Sequence, residues 1–146
     1  MPELKVVSDA NVFISGLLWE GIPHKIIKLA EKEQLSLLTT ASILEEVNEA
    51  LMRDKFKTRI DKINTLVVEL IESLLSLVEI IQEPKVQPII KDDPDDDKIL
   101  ACALACKADI IVSGDFHLLN LKQYENIAIL TPRQFWQRYG QQQNKE

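Results

Sequence analysis

The sequence predicts an α/β fold with a mainly parallel sheet of about five strands. Five short apolar runs recur along the 146 residues, and segments with helical periodicity lie between them. The composition agrees with a folded chain, since 46% of the residues are hydrophobic and only four Gly and six Pro are present. We therefore expect one domain over residues 1–140, followed by a polar C-terminal tail over residues 141–146.

The apolar runs are the predicted strands. Each is a nearly continuous stretch of hydrophobic residues, which is typical of strands that are covered on both faces. Such strands pair in parallel when helices connect them. In chain order the predicted strands are Leu4–Ser8, Leu35–Thr39, Val78–Ile81, Asp109–Ser113 and Ile127–Leu130.

The segments between the strands carry hydrophobic residues every three or four positions, which is the period of an amphipathic helix. Thr40 and Thr131 stand where N-caps are expected. Three acids open the fourth helix, where the helix dipole favours negative charge. The predicted helices are Pro23–Gln34, Ala41–Met52, Thr58–Leu77, Asp95–Lys107 and Pro132–Tyr139.

The cysteines and the apolar runs indicate where in the cell the protein is located. Cys102 and Cys106 lie four residues apart, so on a helix they share one face as small hydrophobes, and we expect neither a disulfide framework nor a zinc site. The apolar run around Leu74–Ile81 is far shorter than the roughly 20 residues that span a membrane. The N-terminal stretch does not have the pattern of a signal peptide. We therefore expect a cytoplasmic protein with no membrane partner.

Acidic residues follow the predicted strands at the points where the strands end. Asp9 comes directly after the first strand, and Asp115 follows the fourth, with Gly114 permitting a sharp turn between them. Glu46 lies on the helix after the second strand, and five of the ten Asp residues fall between positions 92 and 97. Ligands of parallel α/β sheets bind beyond the carboxyl ends of the strands. These acids are therefore candidates for one shared site.

Each acid also has an ordinary structural explanation. An Asp after a strand is commonly a turn former or an N-cap. The acids at positions 92–97 would stabilise the start of a helix. Glu46 would be a solvent-exposed helix residue, like the neighbouring Glu45 and Glu49. Only the combination favours a functional site, because clustered carboxylates repel one another unless a cation or a helix terminus offsets their charge.

Carboxylates from several elements form the kind of site that a hard divalent cation requires. Mg²⁺ and Mn²⁺ bind carboxylate oxygens, and Mg²⁺ keeps several of its waters. The sequence has no phosphate-binding glycine loop and no Ser-His-Asp arrangement. It therefore favours metal-assisted attack of water on a phosphodiester. Asn11 and Ser113 neighbour the acids and are suited to orient carboxylates or a water through hydrogen bonds.

The histidines and a basic stretch are each open to two interpretations. His24 and His117 are expected on the surface or in packing, although His117 follows Asp115 by two residues and could face the cleft. The stretch over residues 53–62 is either a solvated helix junction or a contact for nucleic-acid phosphates or a partner protein. Four of its five basic residues are Arg53, Lys55, Lys57 and Arg59.

Four segments together carry a family pattern: VVSDANVFISGLL, TTASILEEVNEAL, DPDDDKILACALACKADIIVSGDFHLL and ILTPRQF. They resemble the PIN-domain family, and more closely its branch of toxin components of toxin–antitoxin systems, which are related to the VapC toxins. The resemblance extends from Leu4 to about Trp136, in the family's order and spacing. The third segment is the most specific of the four.

The resemblance implies a three-layer α/β/α sandwich and a catalytic quartet of acids. The quartet matches Asp9, Glu46, Asp96 and Asp115 in this chain. Asp9, Asp96 and Asp115 are the implied metal ligands, while Glu46 would orient or deprotonate the attacking water. Asp93 opens the DPDD motif and matches an auxiliary ligand, and Asp97 stands where Asn is frequent, so that Asp96 and Asp97 are alternatives for one role. Asn11 and Ser113 match the polar residues that accompany the first and fourth acids.

The resemblance further implies a Mg²⁺- or Mn²⁺-dependent endoribonuclease that cuts single-stranded or structured RNA. It implies the toxin role of a type II pair, a cognate antitoxin protein as partner, and a homodimer. The alternative is a PIN fold without catalysis that binds RNA or protein. A phospho-receiver domain is disfavoured because no suitable Asp follows the third predicted strand.

The net charge of −6 at first argues against a nucleic-acid partner. Without the four quartet acids the charge is −2, so most of the acidity belongs to the predicted site. We therefore expect RNA binding to require the metal.

Overall fold

The computed structural model describes residues 3–85 and 94–140. Within them six strands form one sheet: β1 (Leu4–Ser8), β2 (Leu35–Thr39), β3 (Val78–Ile80), β4 (Ile110–Val112), β5 (Gln123–Tyr124) and β6 (Ile127–Leu130). Their order across the sheet is β3-β2-β1-β4-β6-β5. All neighbouring strands are parallel except the pair β5 and β6. The structure thus confirms the α/β class and the mainly parallel sheet.

Eight helices are present in the described part of the chain. They are α1 (Ala10–Leu18), α2 (Ile22–Glu31), α3 (Ala41–Leu51), α4 (Asp54–Lys62), α5 (Val67–Leu75), α6 (Pro94–Cys106), α7 (Phe116–Leu119) and α8 (Pro132–Phe135), and a π-helical turn over Trp136–Gly140 continues α8. Helices α2, α6 and α8 pack against strands, and α1 packs against α2 and α3. The arrangement of these helices in three layers stays a prediction.

The predicted helix over Thr58–Leu77 is wrong, since two shorter helices occupy this region. Helix α4 ends at Lys62 and α5 begins at Val67. Asn64 lies between them in the left-handed region with φ of 58°, which a helix interior does not allow. Asn adopts this conformation more easily than most residues. The amphipathic pattern continued across the break, so periodicity alone did not reveal it.

The prediction of about five strands missed β5, which lies at one edge of the sheet. Glu125 and Asn126 both have positive φ, and they connect Tyr124 to Ile127 in the two-residue turn of an antiparallel hairpin. The strand has only two residues and no apolar run, so the sequence pattern did not indicate it. Helices α1 and α7 were also not predicted.

Helix α1 begins directly after the first strand and is apolar on nearly all sides. Because Val12, Phe13, Ile14 and Leu18 are all buried, the segment shows little of the period that marks a surface helix. Its Gly16 lies against α2, where an added Cβ would meet the Ile27 side chain and would lie 3.0 Å from the Pro23 carbonyl oxygen. This close approach fixes α1 beside the carboxyl end of β1.

The order of the strands places a switch point between β1 and β4. From β1 the chain continues to β2 on one side, whereas β4 lies on the other side of β1. The register pairs Ser8 with Val112, so the residues that follow these two strands lie side by side. Crevices at such switch points are where open α/β sheets bind ligands.

Three further predictions concern termini, cysteines and membranes. The predicted tail over residues 141–146 lies outside the described residues. Cys102 is buried and Cys106 is half-buried, and both are free thiols. None of the helices in the described ranges is long and apolar enough to cross a membrane.

Candidate metal centre at the carboxyl edge of the sheet

An acidic cleft of about 390 Å³ opens at the carboxyl ends of β1 and β4. It is bounded by the first turns of α1 and α6, by α3, and by the loop after β4. Six carboxylate side chains and two basic side chains line it: Asp9, Glu46, Glu49, Asp95, Asp96, Asp115, Arg53 and Lys98. The acids come from separate parts of the sequence, so the fold has concentrated negative charge here.

Asp9 is held in the acidic cleft by three hydrogen bonds to its side chain. Its Oδ1 accepts a hydrogen bond from the backbone N–H of Val12 at 2.8 Å, which makes it the N-cap of α1. Its Oδ2 accepts from the Ser113 hydroxyl at 2.5 Å and from the backbone N–H of Gly114 at 3.2 Å. Burial raises the pKa of Asp9, which is 6% exposed, and these hydrogen bonds oppose the rise, while the charge of Asp115 adds to it. A bound cation would favour the ionised form of this carboxyl group.

Ser113 connects two acids of the predicted quartet from beneath the cleft. The residue is fully buried directly after β4. Its hydroxyl donates to Asp9 and accepts from the backbone N–H of Asp115 at 2.9 Å. One side chain therefore orients the Asp9 carboxylate and the backbone of the loop that carries Asp115, which is the arrangement expected of a residue that supports ligands.

Asp96, Asp115 and His117 form a compact group of ligand atoms. One carboxylate oxygen from each Asp and one ring nitrogen of His117 all lie within 4.8 Å of one another. Asp115 is half-buried and caps α7, because its Oδ1 accepts from the backbone N–H of His117 at 2.7 Å. Asp96 is 4% exposed in the first turn of α6. Two of its members, Asp96 and Asp115, line the acidic cleft, and His117 lies beside them.

Glu46 faces the acidic cleft from α3, whereas its neighbour Glu45 is exposed. Its Oε1 lies 3.5 Å from the Nζ of Lys98, which in turn lies 3.8 Å from Oδ1 of Asp95. Burial, followed by the charge of Asp95 and a hydrogen bond with it, raises the pKa of Glu46 from 4.5 to about 7, and Lys98 opposes this rise. A carboxyl group with such a pKa can accept a proton near neutral pH.

The structure brings most of the predicted site residues together. Asp9, Glu46, Asp96 and Asp115 all line the acidic cleft, and so does Asn11, an exposed residue in the first turn of α1. Asp97 is buried but does not line the cleft, and the choice between Asp96 and Asp97 stays a prediction. Asp93 lies outside the described residues. The chemical roles of these residues stay predictions.

The four basic residues that were candidates for RNA or partner contact lie in different surroundings. Arg53 lines the acidic cleft at its rim, and Lys57 is exposed on α4. Lys55 lies over the ring of Phe56 with its Nζ 5.1 Å from the centroid. The Nε of Arg59 donates to the carbonyl of Leu18 at 2.7 Å, which holds α4 against the end of α1. Of the four, Arg53 is therefore the one placed to contact a ligand of the cleft.

Sequence reasoning missed Lys98 as a member of the site. It included Asp95 only within the acidic run and gave it no role, and it gave His117 only as an alternative to a surface role. Lys98 and Glu46 are 52 residues apart, so no local pattern indicates their contact. The spacing of Asp115 and His117 was a usable signal, since a residue two positions after a helix cap lies close to it.

The acidic cleft fits a divalent cation by its chemistry. Its six acids outnumber its two basic side chains, and Asp9 and Asp96 are buried. Buried carboxylates are stable as anions only when they are paired, hydrogen-bonded or bound to a metal. Hard cations such as Mg²⁺ and Mn²⁺ take carboxylate oxygen ligands. Asp96 and Asp115, with Asp9 beside them, are the residues that would hold such an ion.

Comparison with known proteins agrees with this geometry. A family model described as a PIN domain matches residues 5–117 and so includes the residues that line the acidic cleft. The chain is also 32% identical, over 142 residues, to a protein of Methanocaldococcus jannaschii that is described only as uncharacterized, and the alignment covers 91% of this chain and 90% of that protein. PIN domains are generally nucleases and typically bind divalent metals. The chain belongs to the PIN domain family.

Proposed function

We propose that this protein is a Mg²⁺- or Mn²⁺-dependent endoribonuclease built on a three-layer PIN fold. The observation that carries the proposal is the acidic cleft, where Asp9, Glu46, Asp96 and Asp115 converge from four elements at the switch point of the sheet. Family membership supports the nuclease class. The convergence of buried and half-buried acids supports metal dependence.

The residues of the acidic cleft have different roles in the proposed hydrolysis. Asp9, Asp96 and Asp115 would hold the divalent cation, and Ser113 orients the carboxylate of Asp9 and the backbone of Asp115. When bound, the cation supplies positive charge that polarises the scissile phosphate and stabilises the leaving oxygen. Glu46 accepts a proton from the water that attacks phosphorus, while Lys98 holds the Glu46 carboxylate in place. The bond from phosphorus to the 3′ oxygen breaks and this oxygen takes a proton from solvent water, which leaves a 5′-phosphate on one product and a 3′-hydroxyl on the other.

RNA is the proposed substrate, in single-stranded or structured regions that leave a phosphodiester accessible. The acidic cleft repels the phosphate backbone until the cation is bound, because its acids exceed its basic groups. Arg53 at the rim is placed to contact a neighbouring phosphate, and exposed Lys57 lies one helical turn away.

Cleavage of a 5′-labelled single-stranded RNA tests this function. The purified protein should cut the RNA with Mn²⁺ or Mg²⁺ and not in EDTA, and the new ends should carry 5′-phosphates. Asp9→Asn should abolish cleavage, whereas Glu79→Gln, which changes an exposed acid outside the acidic cleft, should not. A product with a 2′,3′-cyclic phosphate, or equal cleavage by Asp9→Asn, would show a different activity. A folded protein that binds metal and RNA without cutting would support the non-catalytic alternative.

We also propose the biological setting that the resemblance to toxin components implies. The protein would be the toxin of a type II pair in the cytoplasm, with a small antitoxin protein encoded beside it, and would act as a homodimer. Expression of the wild-type chain should arrest growth, and co-expression of the neighbouring gene should restore it. Arrest by the Asp9→Asn variant would contradict the toxin role.

A further inference from the structure

We propose that His117 is a direct ligand of the metal in the acidic cleft, so that the site prefers a first-row transition metal, Mn²⁺ among them, to Mg²⁺. This inference rests on the proposed metal-dependent function and adds a nitrogen donor to a site otherwise made of oxygen donors. The observation that carries it is the compact group formed by Asp96, Asp115 and His117, whose ligand atoms lie within 4.8 Å of one another.

The separations suit a single ion. In an octahedral site with ligands at about 2.1 Å, two ligand atoms are about 3 Å apart when adjacent and about 4.2 Å apart when opposite. Atoms within 4.8 Å of one another therefore reach one ion with small side-chain rotations. Asp96 comes from α6, and Asp115 and His117 come from the N-cap and first turn of α7, so the group joins α6 to α7.

The local backbone fixes the relation between Asp115 and His117. The Oδ1 of Asp115 accepts from the backbone N–H of His117 at 2.7 Å, which closes the first turn of α7 and keeps the two side chains adjacent. The ring of Phe116 lies 5.3 Å from the His117 ring, at an angle of 53°, and so flanks the imidazole. His117 is exposed, so its ring can complete a ligand set with Asp96 and Asp115 without displacing core residues.

An imidazole changes which ion binds. Mg²⁺ prefers oxygen ligands and gives up its waters reluctantly. Imidazole nitrogen suits first-row transition metals better, and the affinity of sites with nitrogen ligands rises along that series. Two carboxylates and one imidazole should therefore bind Mn²⁺ more tightly than Mg²⁺, and the loss of the imidazole should reduce this preference.

Electron spin echo spectroscopy of the Mn²⁺-loaded protein detects a nitrogen bound directly to the metal. Wild-type protein should show the imidazole coupling, and His117→Ala should lose it. The chain has one other histidine, His24, which hydrogen-bonds through Nδ1 to the Gly16 carbonyl oxygen and is not part of the group formed by Asp96, Asp115 and His117. A His24→Gln variant is therefore the matched control and should keep the coupling. Thermal unfolding of each apo variant checks that it is folded.

Titration calorimetry supplies the second readout. His117→Ala should weaken Mn²⁺ binding by at least about tenfold, because the loss of a residue that only supports a metal ligand already lowers metal affinity by about that factor. The same substitution should weaken Mg²⁺ binding less. His117→Asp should restore affinity through an oxygen donor and lower the ratio of Mn²⁺ to Mg²⁺ affinity. Mn²⁺ binding without any nitrogen coupling in the wild type would overturn the His117 proposal and leave the proposed nuclease function standing. Absence of all divalent-ion binding would overturn both.

Discussion

Two acidic depressions in the described part of the chain differ in how their acids are placed, and their comparison shows what distinguishes a candidate site from a charged surface. The acidic cleft lies at the carboxyl ends of β1 and β4, whereas a second depression of about 290 Å³, here named the amino-end groove, lies beside the amino ends of β1, β2 and β3. Four glutamates line the amino-end groove: Glu3, Glu31, Glu33 and Glu79. The two depressions are of the same order in volume and in number of acids.

The acids of the two depressions differ in burial and in hydrogen bonding. All four glutamates of the amino-end groove are exposed, and Glu31 is paired with Lys28 at 3.1 Å. In the acidic cleft, Asp9 and Asp96 are buried, and Asp9 receives three hydrogen bonds from three different residues. Exposed carboxylates are solvated by water, so they gain little from a cation. Burial and convergence, rather than the number of acids, therefore indicate the metal site.

The largest expected effect is a difference in RNA cleavage rate between a variant in the acidic cleft and a variant in the amino-end groove. Asp115→Asn in the acidic cleft should lower RNA cleavage by about 10–100-fold or more, because even the residues that support metal ligands contribute about 10–100-fold to affinity or activity. Glu79→Gln in the amino-end groove should change the rate by less than about twofold. Single-turnover cleavage of one labelled RNA by both variants gives the comparison, and equal losses would contradict it.

Substitution of two serines, one beside each depression, should give the second-largest effect, on Mn²⁺ affinity and on the free energy of unfolding. Ser113 is buried and bridges Asp9 and Asp115, whereas Ser36 donates to the exposed Glu3 in the amino-end groove. Ser113→Ala should lower Mn²⁺ affinity by roughly 10–100-fold. It should also lower the free energy of unfolding by about 1–3 kcal/mol, because a buried carboxylate oxygen loses a partner. Ser36→Ala should change that free energy by less than about 0.5 kcal/mol. Calorimetry and chemical denaturation measure the two quantities, and similar effects of both substitutions would argue against the role of Ser113.

The smallest expected effect is a pH dependence of stability in the metal-free protein. The pKa of Glu46 rises from 4.5 to about 7 on folding, so the folded state binds more protons than the unfolded state in that range. The free energy of unfolding should therefore fall as the pH rises from about 4.5 to about 7. The raised pKa of Asp9 acts in the same direction.

Glu46→Gln should make this pH dependence weaker, because Gln does not titrate. Glu31→Gln, in the amino-end groove, should leave it unchanged. Melting temperatures of the three proteins, measured in EDTA at a series of pH values, test the sign. A wild-type melting temperature that rises steadily over this range would show that Glu46 is not held in a protonated form.

The fold was predictable wherever hydrophobic burial alone decides the structure. The strands β1, β2 and β6 begin and end where their apolar runs do, because they are covered on both faces. The break at Asn64 and the hairpin turn at Glu125 depend on positive φ at single residues, and such features leave little trace in periodicity. Helix α1 was missed because burial on most of its sides removes the polar face that marks a helix.

The site was predictable in part, for a topological reason. Acids directly after parallel strands meet at one edge of the sheet, so Asp9 and Asp115 could be grouped from sequence. The contact between Lys98 and Glu46 joins α6 to α3 and depends on how these helices pack, which local sequence does not specify. The same applies to the nearness of His117 to Asp96.

The central claim is that divalent metal binds the acidic cleft and not the amino-end groove, and Mn²⁺ titration of two double variants tests it most directly. Asp96→Asn with Asp115→Asn removes two acids of the cleft, and Glu31→Gln with Glu79→Gln removes two acids of the groove. The account predicts that the groove variant binds Mn²⁺ as the wild type does, and that the folded cleft variant does not bind it. Wild-type affinity in the cleft variant, or its loss in the groove variant, would contradict the account.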